Sequence, residues 1–379
     1  MKPPATRERV ACLFGLQFEH SAAVYRGVSE FADRHTAWDL TPVSADRDTL
    51  LRRLLESGAV DGVIGAFIAD RWVRELSSSG LVLVNTGTLS RIESCDEVVA
   101  DQAEVGRLAA EHLLDSGSER FLYAGPATSH SSTLQWEGYV SRLGEAGKGE
   151  EHRRHDWLPD RLLEFRSWIS GMAGTPVALF CANDLIARQA VGVIMDLGLC
   201  VPEDICVLGV GDSPGDVLLS AVPLSSIVLP GRELGLHAAK LLATRFGAGR
   251  TAPRHSLRLR PKRVEQRAST SRLQTSDPLV SRILEYLAPR LSGTLTVDDL
   301  AAVAGISRRS LELRFRNALG ASPYGHILAM RTELAMTLLR DRSLGVAEVG
   351  RRCGYPEPQQ FSSFFRSRTG LSPSEWRKN

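Results

Sequence analysis

The sequence predicts an α/β doubly wound sheet domain followed by an all-α domain built from two copies of one helical unit. Three observations predict it. Short apolar runs of strand length alternate with helical patterns through the first two-thirds of the 379 residues. The last hundred residues repeat a helix–Gly–helix pattern at a nearly constant offset. The charge is also divided: residues 245–379 hold 24 Lys+Arg against 11 Asp+Glu, a balance of +13, whereas residues 1–244 stand at −11. An acidic front and a basic back point to different partners, the back to a polyanion.

Length implies about two or three domains at roughly 100–200 residues each. With 43% hydrophobic and 24% charged residues the composition excludes wholesale disorder, a collagenous repeat and a membrane bundle. No apolar run approaches the ~20 residues of a membrane span, and the N-terminal stretch VACLFGL is broken by Gly15 and Gln17, so it is not a signal-peptide core. Cytoplasm is the default expectation. Six scattered Cys without a CxxC pair, most of them in apolar runs, read as structural thiols. Only five of the 46 basic residues are Lys, read first as a base-composition bias of the genome.

The elements follow in order. RVACLFGL is a first strand, leading to a helix over 22–34. AVDGVIGAF leads to a helix over 72–78, and LVLVNT and RFLYAG are further strands. VALFCA leads to a helix over 185–197, ICVLGVG is a strand, and SSIVLP leads to a helix over 234–245. Continuous apolar strands with short Gly/Pro/Asn/Asp punctuation fit parallel sheets buried on both faces. Ligands of such sheets bind beyond the carboxyl ends of the strands. Three places qualify: Gln17, Phe18 and Glu19 after the first strand; Asn183 and Asp184 after VALFC; and Asp212 after ICVLGVG. Asp184 and Asp212 suit a ligand contact, and equally a helix N-cap or an Asx-turn.

The segment VALFCANDLIARQAVGVIMDLGLCVPEDICVLGVGDSPGDVLLSAVPLSSIVLP resembles the LacI/periplasmic sugar-binding family, through its A-N-D helix start, V-P-E-D turn, V-L-G-V-G-D strand and L-S-S-I. VVADQAEVGRLAAEHLLDSGSERFLYAG resembles the middle section of the same family. The resemblance implies two α/β lobes closing on a small polar molecule, often a sugar. It matches Asp184 to a carboxylate that accepts sugar hydroxyls, and Asp212 to a later strand end in the cleft. Two carboxylate oxygens can accept bonds from neighbouring hydroxyls, and Phe18 or Trp136 offers a face to a sugar ring. Two departures stand out: Gln135 occupies a position usually held by Arg, and Ile68-Ala69 stand where acidic or polar groups are usual. The first strand begins near Val10, so the DNA-reading headpiece of LacI relatives is not expected before it.

After Phe246 the sequence turns basic. SLRLRPKRVEQRAS alternates apolar and basic residues and reads as a last edge strand, either solvated or offering a basic stripe to phosphates. The expected division is a ligand domain over 1–267, a linker over 268–276 and a helical domain over 277–379.

In the helical domain Leu300, Gly305, Ile306, Leu311, Phe315, Gly320 and Pro323 align with Val349, Gly354, Tyr355, Phe361, Phe365, Gly370 and Pro373. The offset is 49, becoming 50 after one inserted residue. Each copy is a short helix, a turn at Gly and a second helix with one apolar face, the pattern of a helix-turn-helix. A connecting helix over 324–340 carries Ile327, Leu334 and Leu338 at helical spacing. This layout, ending GLSPSEWR, resembles the DNA-binding domain of the AraC family over residues 277–379. The resemblance implies two recognition helices in successive major grooves, about 34 Å apart. Polar residues opposite the apolar face are the candidate DNA contacts: Arg308, Arg309, Glu312 and Arg316 in the first copy, Gln359, Gln360, Ser363 and Arg366 in the second. Family positions make Arg309, Glu312, Gln359, Gln360 and Ser363 base readers, and Arg308 a phosphate contact. Arg can bridge guanine O6/N7 and Gln adenine N6/N7. Leu313 occupies a position often polar in relatives.

His152 and His155 form an HxxH, read as a solvated helix or loop and not as metal ligands. No GxSxG, P-loop or HExxH motif is present, so neither a catalytic constellation nor a cofactor is expected. Together the two resemblances imply a sugar-sensing transcription regulator. Its expected partners are promoter DNA, a sugar effector, a second copy of the chain and RNA polymerase. A metabolite-responsive repressor, or a ligand-binding protein without DNA function, is the alternative.

Overall fold

The computed structural model describes residues 7–16, 18–43, 58–149, 152–158, 160–172, 174–248, 253–271, 277–287, 290–293, 295–319, 321–340 and 344–377. Two compact units divide it, Met1–Arg272 and Leu273–Asn379.

The first unit holds two six-stranded sheets. In the first lobe the strands are β1 (Arg9–Leu13), β2 (Asp39–Val43), β3 (Gly62–Gly65), β4 (Val82–Asn85), β5 (Asp96–Ala100) and β11 (Ser256–Leu259), in the spatial order β11-β5-β4-β3-β1-β2 and parallel throughout. The second lobe holds β6 (Arg120–Gly125), β7 (His152–Asp156), β8 (Val177–Cys181), β9 (Ile205–Val210), β10 (Ser225–Val228) and β12 (Arg263–Glu265), in the order β12-β10-β9-β8-β6-β7. Only β12 runs antiparallel, against β10.

Alternate residues of each central strand serve opposite cores, which is why these strands read as unbroken apolar runs. Val10 and Cys12 face helices Glu19–His35 and Gly231–Ala248, while Ala11 and Leu13 face helix Asp70–Ser78. In the second lobe Leu179 faces helices Leu162–Ser170 and Asp184–Asp196; Phe180 faces helices Gln102–Leu114 and His130–Glu145. That last helix pair packs backbone to backbone. A Cβ on Gly106 would overlap the carbonyl of Gln135, and one on Gly138 that of Ala103, so both positions need glycine.

The chain crosses between lobes at Asp101, at Leu229–Pro230 and at residues 260–262. Crossing segments are tied to one another: Asp101 N donates to Leu259 O at 2.8 Å, and Lys262 N to Val228 O at 2.8 Å. The single edge strand expected in SLRLRPKRVEQRAS is therefore two, one per lobe, because Arg260–Lys262 form the third crossing. His152 and His155 lie in strand β7, beside β6, and not in a solvated helix or loop. Their rings pack on Trp136 and Trp168. Among the described residues no cluster of three metal-ligating side chains occurs, and no helix is long and apolar enough to cross a membrane.

The expected linker over 268–276 starts too early. Ala268–Thr270 is a 3-10 turn whose Ser269 and Thr270 are buried, since Ser269 Oγ donates to Val207 O at 2.6 Å and accepts from Ser225 N at 2.8 Å. These three residues belong to the second lobe.

The second unit is all helical. Helix Pro278–Leu287 precedes two helix-turn-helix units, Val297–Ala304 with Arg308–Leu319 and Val346–Arg352 with Pro358–Thr369. Pro323–Arg340 connects them, and Pro373–Trp376 is the last helix among the described residues. Gly305 and Gly354 take φ of +69° and +81° in the two turns. One core gathers on Leu311, Phe315 and Ile327; another gathers on Ala335, Leu339, Phe361 and Phe365.

Candidate ligand site and nucleic-acid interface

At the carboxyl end of β8, helix Asp184–Asp196 is capped by Asn183, whose side chain accepts from Ile186 N at 2.9 Å. Asp184 is thereby released from capping. Its carboxylate is 2% exposed and points at the ends of β9 and β10. Oδ1 accepts from Ser226 Oγ at 2.6 Å, and Oδ2 accepts from Ser213 N at 2.7 Å. Gly209 is small for this reason, since a Cβ there would overlap Asp184 Oδ1. Burial pushes the Asp184 carboxyl up to about 6, against the opposing pull of its two hydrogen bonds.

Asp212 is not a cap either. It stands at φ +51°, a left-handed conformation that Asp tolerates, and its Oδ1 accepts from Arg267 Nη2 at 2.7 Å. Asp212 N donates to Ser226 Oγ at 2.9 Å, so one serine bridges the two carboxylate residues. From Arg267 the network continues. Arg267 N donates to Ser225 Oγ at 2.8 Å, Thr270 Oγ1 donates to that oxygen at 2.7 Å, and Thr270 Oγ1 lies 2.8 Å from His112 Nε2. Ser226, Asp212, Arg267, Ser225 and Thr270 thus join Asp184 to the turn that leaves the domain, two of the links being made by the backbone N–H groups of Asp212 and Arg267.

On the first lobe, Phe18 is exposed at the N-terminus of helix Glu19–His35, and Glu19 pairs with Arg26 two turns along the same helical face. Gln17 lies outside the described residues. Ile68 is exposed beyond β3, at the same end of the sheet as Phe18. Trp136 is half-buried in the second lobe's core, packed against Tyr123, Tyr139 and His152. Asp184 and Asp212 are brought together; Phe18 and Glu19 stand on the other lobe, and Trp136 is held among core rings. Gln135 is a buried hub: Oε1 accepts from Tyr123 Oη at 2.9 Å, and Nε2 donates to Gln102 Oε1 at 2.8 Å. Sequence reasoning missed Ser226 and Arg267. The L-S-S-I fragment was the one signal for the first, and nothing local marks the second.

In the helical domain Leu311/Phe315 and Phe361/Phe365 are fully buried, which turns the opposite faces outward. Arg309, Arg316, Gln359, Gln360, Ser363 and Arg366 are exposed there. Arg308 donates to Glu312 Oε1 at 3.1 Å and to Asp298 Oδ2 at 3.1 Å, so it and Glu312 are partly spent on each other. Leu313 is 60% exposed among them, matching Ser363 in the second copy. Arg314 is tied to Asp277 at 2.8 Å, back toward helix Pro278–Leu287. Two amphipathic helices with polar, cation-bearing outer faces are suited to major grooves.

Residues 110–270 match the periplasmic binding protein-like domain family and residues 300–379 a helix-turn-helix domain family. The xylose operon regulatory protein of Escherichia coli (strain K12) is 28% identical over 98% of this chain and 97% of its own length. Its counterpart in Haemophilus influenzae is 23% identical over 98% of both. A solved structure of a xylose-binding transcription activator, xylR, superposes with a TM-score of 0.77 at 25% identity, covering 99% of this chain and 98% of its own. With a periplasmic-binding-protein-like sensor followed by an AraC-type helix-turn-helix domain, and homologous from end to end to xylose operon regulatory proteins, the chain is a DNA-binding transcription regulator and not an enzyme.

Proposed function

We propose that the effector is a sugar of the xylose kind, held between the lobes with Asp184 as its principal hydroxyl acceptor and Phe18 offering an apolar face. The observation that carries this reading is the network from Asp184 through Ser226, Asp212 and Arg267 to the exit turn. A sugar hydroxyl donating to Asp184 competes with Ser226 for Oδ1, and the strain is felt at the Asp212–Arg267 pair and then at the segment leading to the DNA-binding domain. Effector and DNA are then linked by the difference in sugar affinity between two states of this network. The regulator acts in the cytoplasm as a homodimer on double-stranded promoter DNA, where it recruits RNA polymerase. Full-length relatedness to an activator of the same layout supports that part of the reading.

Thermal unfolding of the intact chain with D-xylose, other pentoses and hexoses tests the proposal. A binding sugar stabilises the sensor domain by mass action, about 2.7 kcal/mol at one hundred times its Kd, and so raises its Tm. Asp184→Ala is expected to remove that rise. No response to any sugar would sink the sugar reading, and an undiminished response in the variant would remove Asp184 from the site.

A further inference from the structure

The connecting helix Pro323–Arg340 carries a charge into the interior of the DNA-binding domain. Arg331 is 7% exposed, and among the described residues its guanidinium donates to two backbone carbonyls and pairs with no carboxylate. Nε donates to Leu291 O at 3.0 Å and Nη2 to Gly293 O at 2.6 Å, both in the segment before the first helix-turn-helix unit. The same guanidinium lies over the ring of Tyr355, 5.4 Å from its centroid, in the turn of the second unit. Gly354 makes this approach possible, since a Cβ there would stand 2.5 Å from Arg331 Nη2 and 2.7 Å from Leu291 O. Tyr355 then stacks on Phe364, ring centroids 4.4 Å apart at 20°, and Phe364 belongs to the second recognition helix.

A line of contacts therefore runs from the base of the first unit, through one guanidinium, to the helix that reads the second groove. The hydrophobic cores of the two units are separate clusters joined by the connecting helix, which lends Ile327 to one and Ala335 and Leu339 to the other, and Arg331 stands on that helix between them. An apolar side chain would fill the space at less desolvation cost, whereas a planar guanidinium with two fixed acceptors and one ring face sets direction as well as distance.

We infer that Arg331 is a positioning residue for DNA reading: it fixes the spacing and angle of the two recognition helices, and so the half-site separation that the regulator accepts. The inference rests on both helices reading DNA. Two rigidly linked modules gain by effective concentration only when both sites can be engaged at once.

The intact chain is first used to select an operator from random duplex DNA. Affinities are then measured for that operator, for a version with one base pair inserted between the half-sites, and for each half-site alone. For the wild-type chain the insertion is expected to cost about tenfold or more, since it rotates one half-site by about a tenth of a helical turn. Arg331→Met and Tyr355→Leu are expected to keep half-site affinity and lose most of the full-site advantage, discriminating against the insertion by less than about threefold. Arg331→Lys, which keeps a buried donor, falls between. A merely weakened fold would lower half-site and full-site binding alike. Tolerance of the insertion by the wild-type chain overturns the inference without any variant, and so does undiminished discrimination in a variant that melts like the wild type. Failure of the chain to select any sequence would overturn the DNA reading itself, and Arg331's role with it.

Discussion

Asp184 is a carboxylate kept where its charge is disfavoured. Its folded pKa of about 6 lies above the ordinary Asp value near 3.9, so the ionised form costs stability at neutral pH. The favourable contribution is present in acid and is lost as pH rises through 6. Between pH 7.5 and 5 the sensor domain of the wild type should therefore gain on Asp184→Asn by an amount on the order of 1 kcal/mol, read from paired unfolding curves, with the remainder recovered only as pH falls toward about 4. Sugar affinity should move oppositely, weakening as the acceptor is protonated. In the first recognition helix Arg309 and Arg308 are adjacent but unlike, the first exposed and the second engaged by Asp298 and Glu312. Arg309→Ala is expected to cost about 1–3 kcal/mol of operator affinity and to relax the preference at one base pair. Arg308→Ala should weaken binding by less and evenly across sequences, which a comparison of operator variants would detect. Both positions were legible because a polar face is defined by the buried face beside it. That Arg308 is tied to acids was not, since Asp298 lies ten residues away on another helix.

At the scale of elements, strands with continuous apolar runs could be read directly, because burial on both faces leaves no polar position. β7, with the sequence HRRHD, could not: an edge strand with only one parallel neighbour needs little apolar character. The two turns of the helical domain differ in the same way. Gly305 has open space around its Cβ position, so Gly305→Ala should cost about 1 kcal/mol from backbone conformation alone. Gly354→Ala must in addition displace Arg331 and Leu291 O, and a loss of about 2 kcal/mol or more is expected by chemical denaturation. Equal losses would show that the close approach of Arg331 carries no weight.

For the whole molecule, the decisive feature is that the exit turn of the sensor is wired to the candidate ligand carboxylates. Arg267 spans that distance with a backbone bond to Ser225 and an ion pair to Asp212. Arg267→Ala is expected to leave D-xylose binding within a few-fold of the wild type and to reduce the effect of sugar on operator affinity. A coupling of typically 1–3 kcal/mol should fall by more than half. Titrating sugar and DNA together would measure it, and unchanged coupling would move the transmission path elsewhere. The charge division also gains meaning. Nine basic residues and one acid lie in 245–276, leaving +5 for the helical domain. Several of those nine are engaged inside the sensor, Arg245 with Asp96, Arg254 with Glu97 and Arg267 with Asp212. The basic stretch is therefore in good part internal structure and not a phosphate-binding stripe.

Periodicity, punctuation and an internal repeat determined the two domains, the strand ends at which a ligand is sought and the outer faces of both recognition helices. These are properties of neighbouring residues, and the burial pattern of one element is written within it. Tertiary structure alone decided that Asn183 caps in place of Asp184, that Ser226 and Arg267 join two carboxylates to the exit turn, and that Arg331 spans both helix-turn-helix units. The cap itself is local, from Asn183 to Ile186, but the others rest on hydrogen bonds or ring contacts between residues 14 or more positions apart, where polar groups meet because burial forces them to find partners.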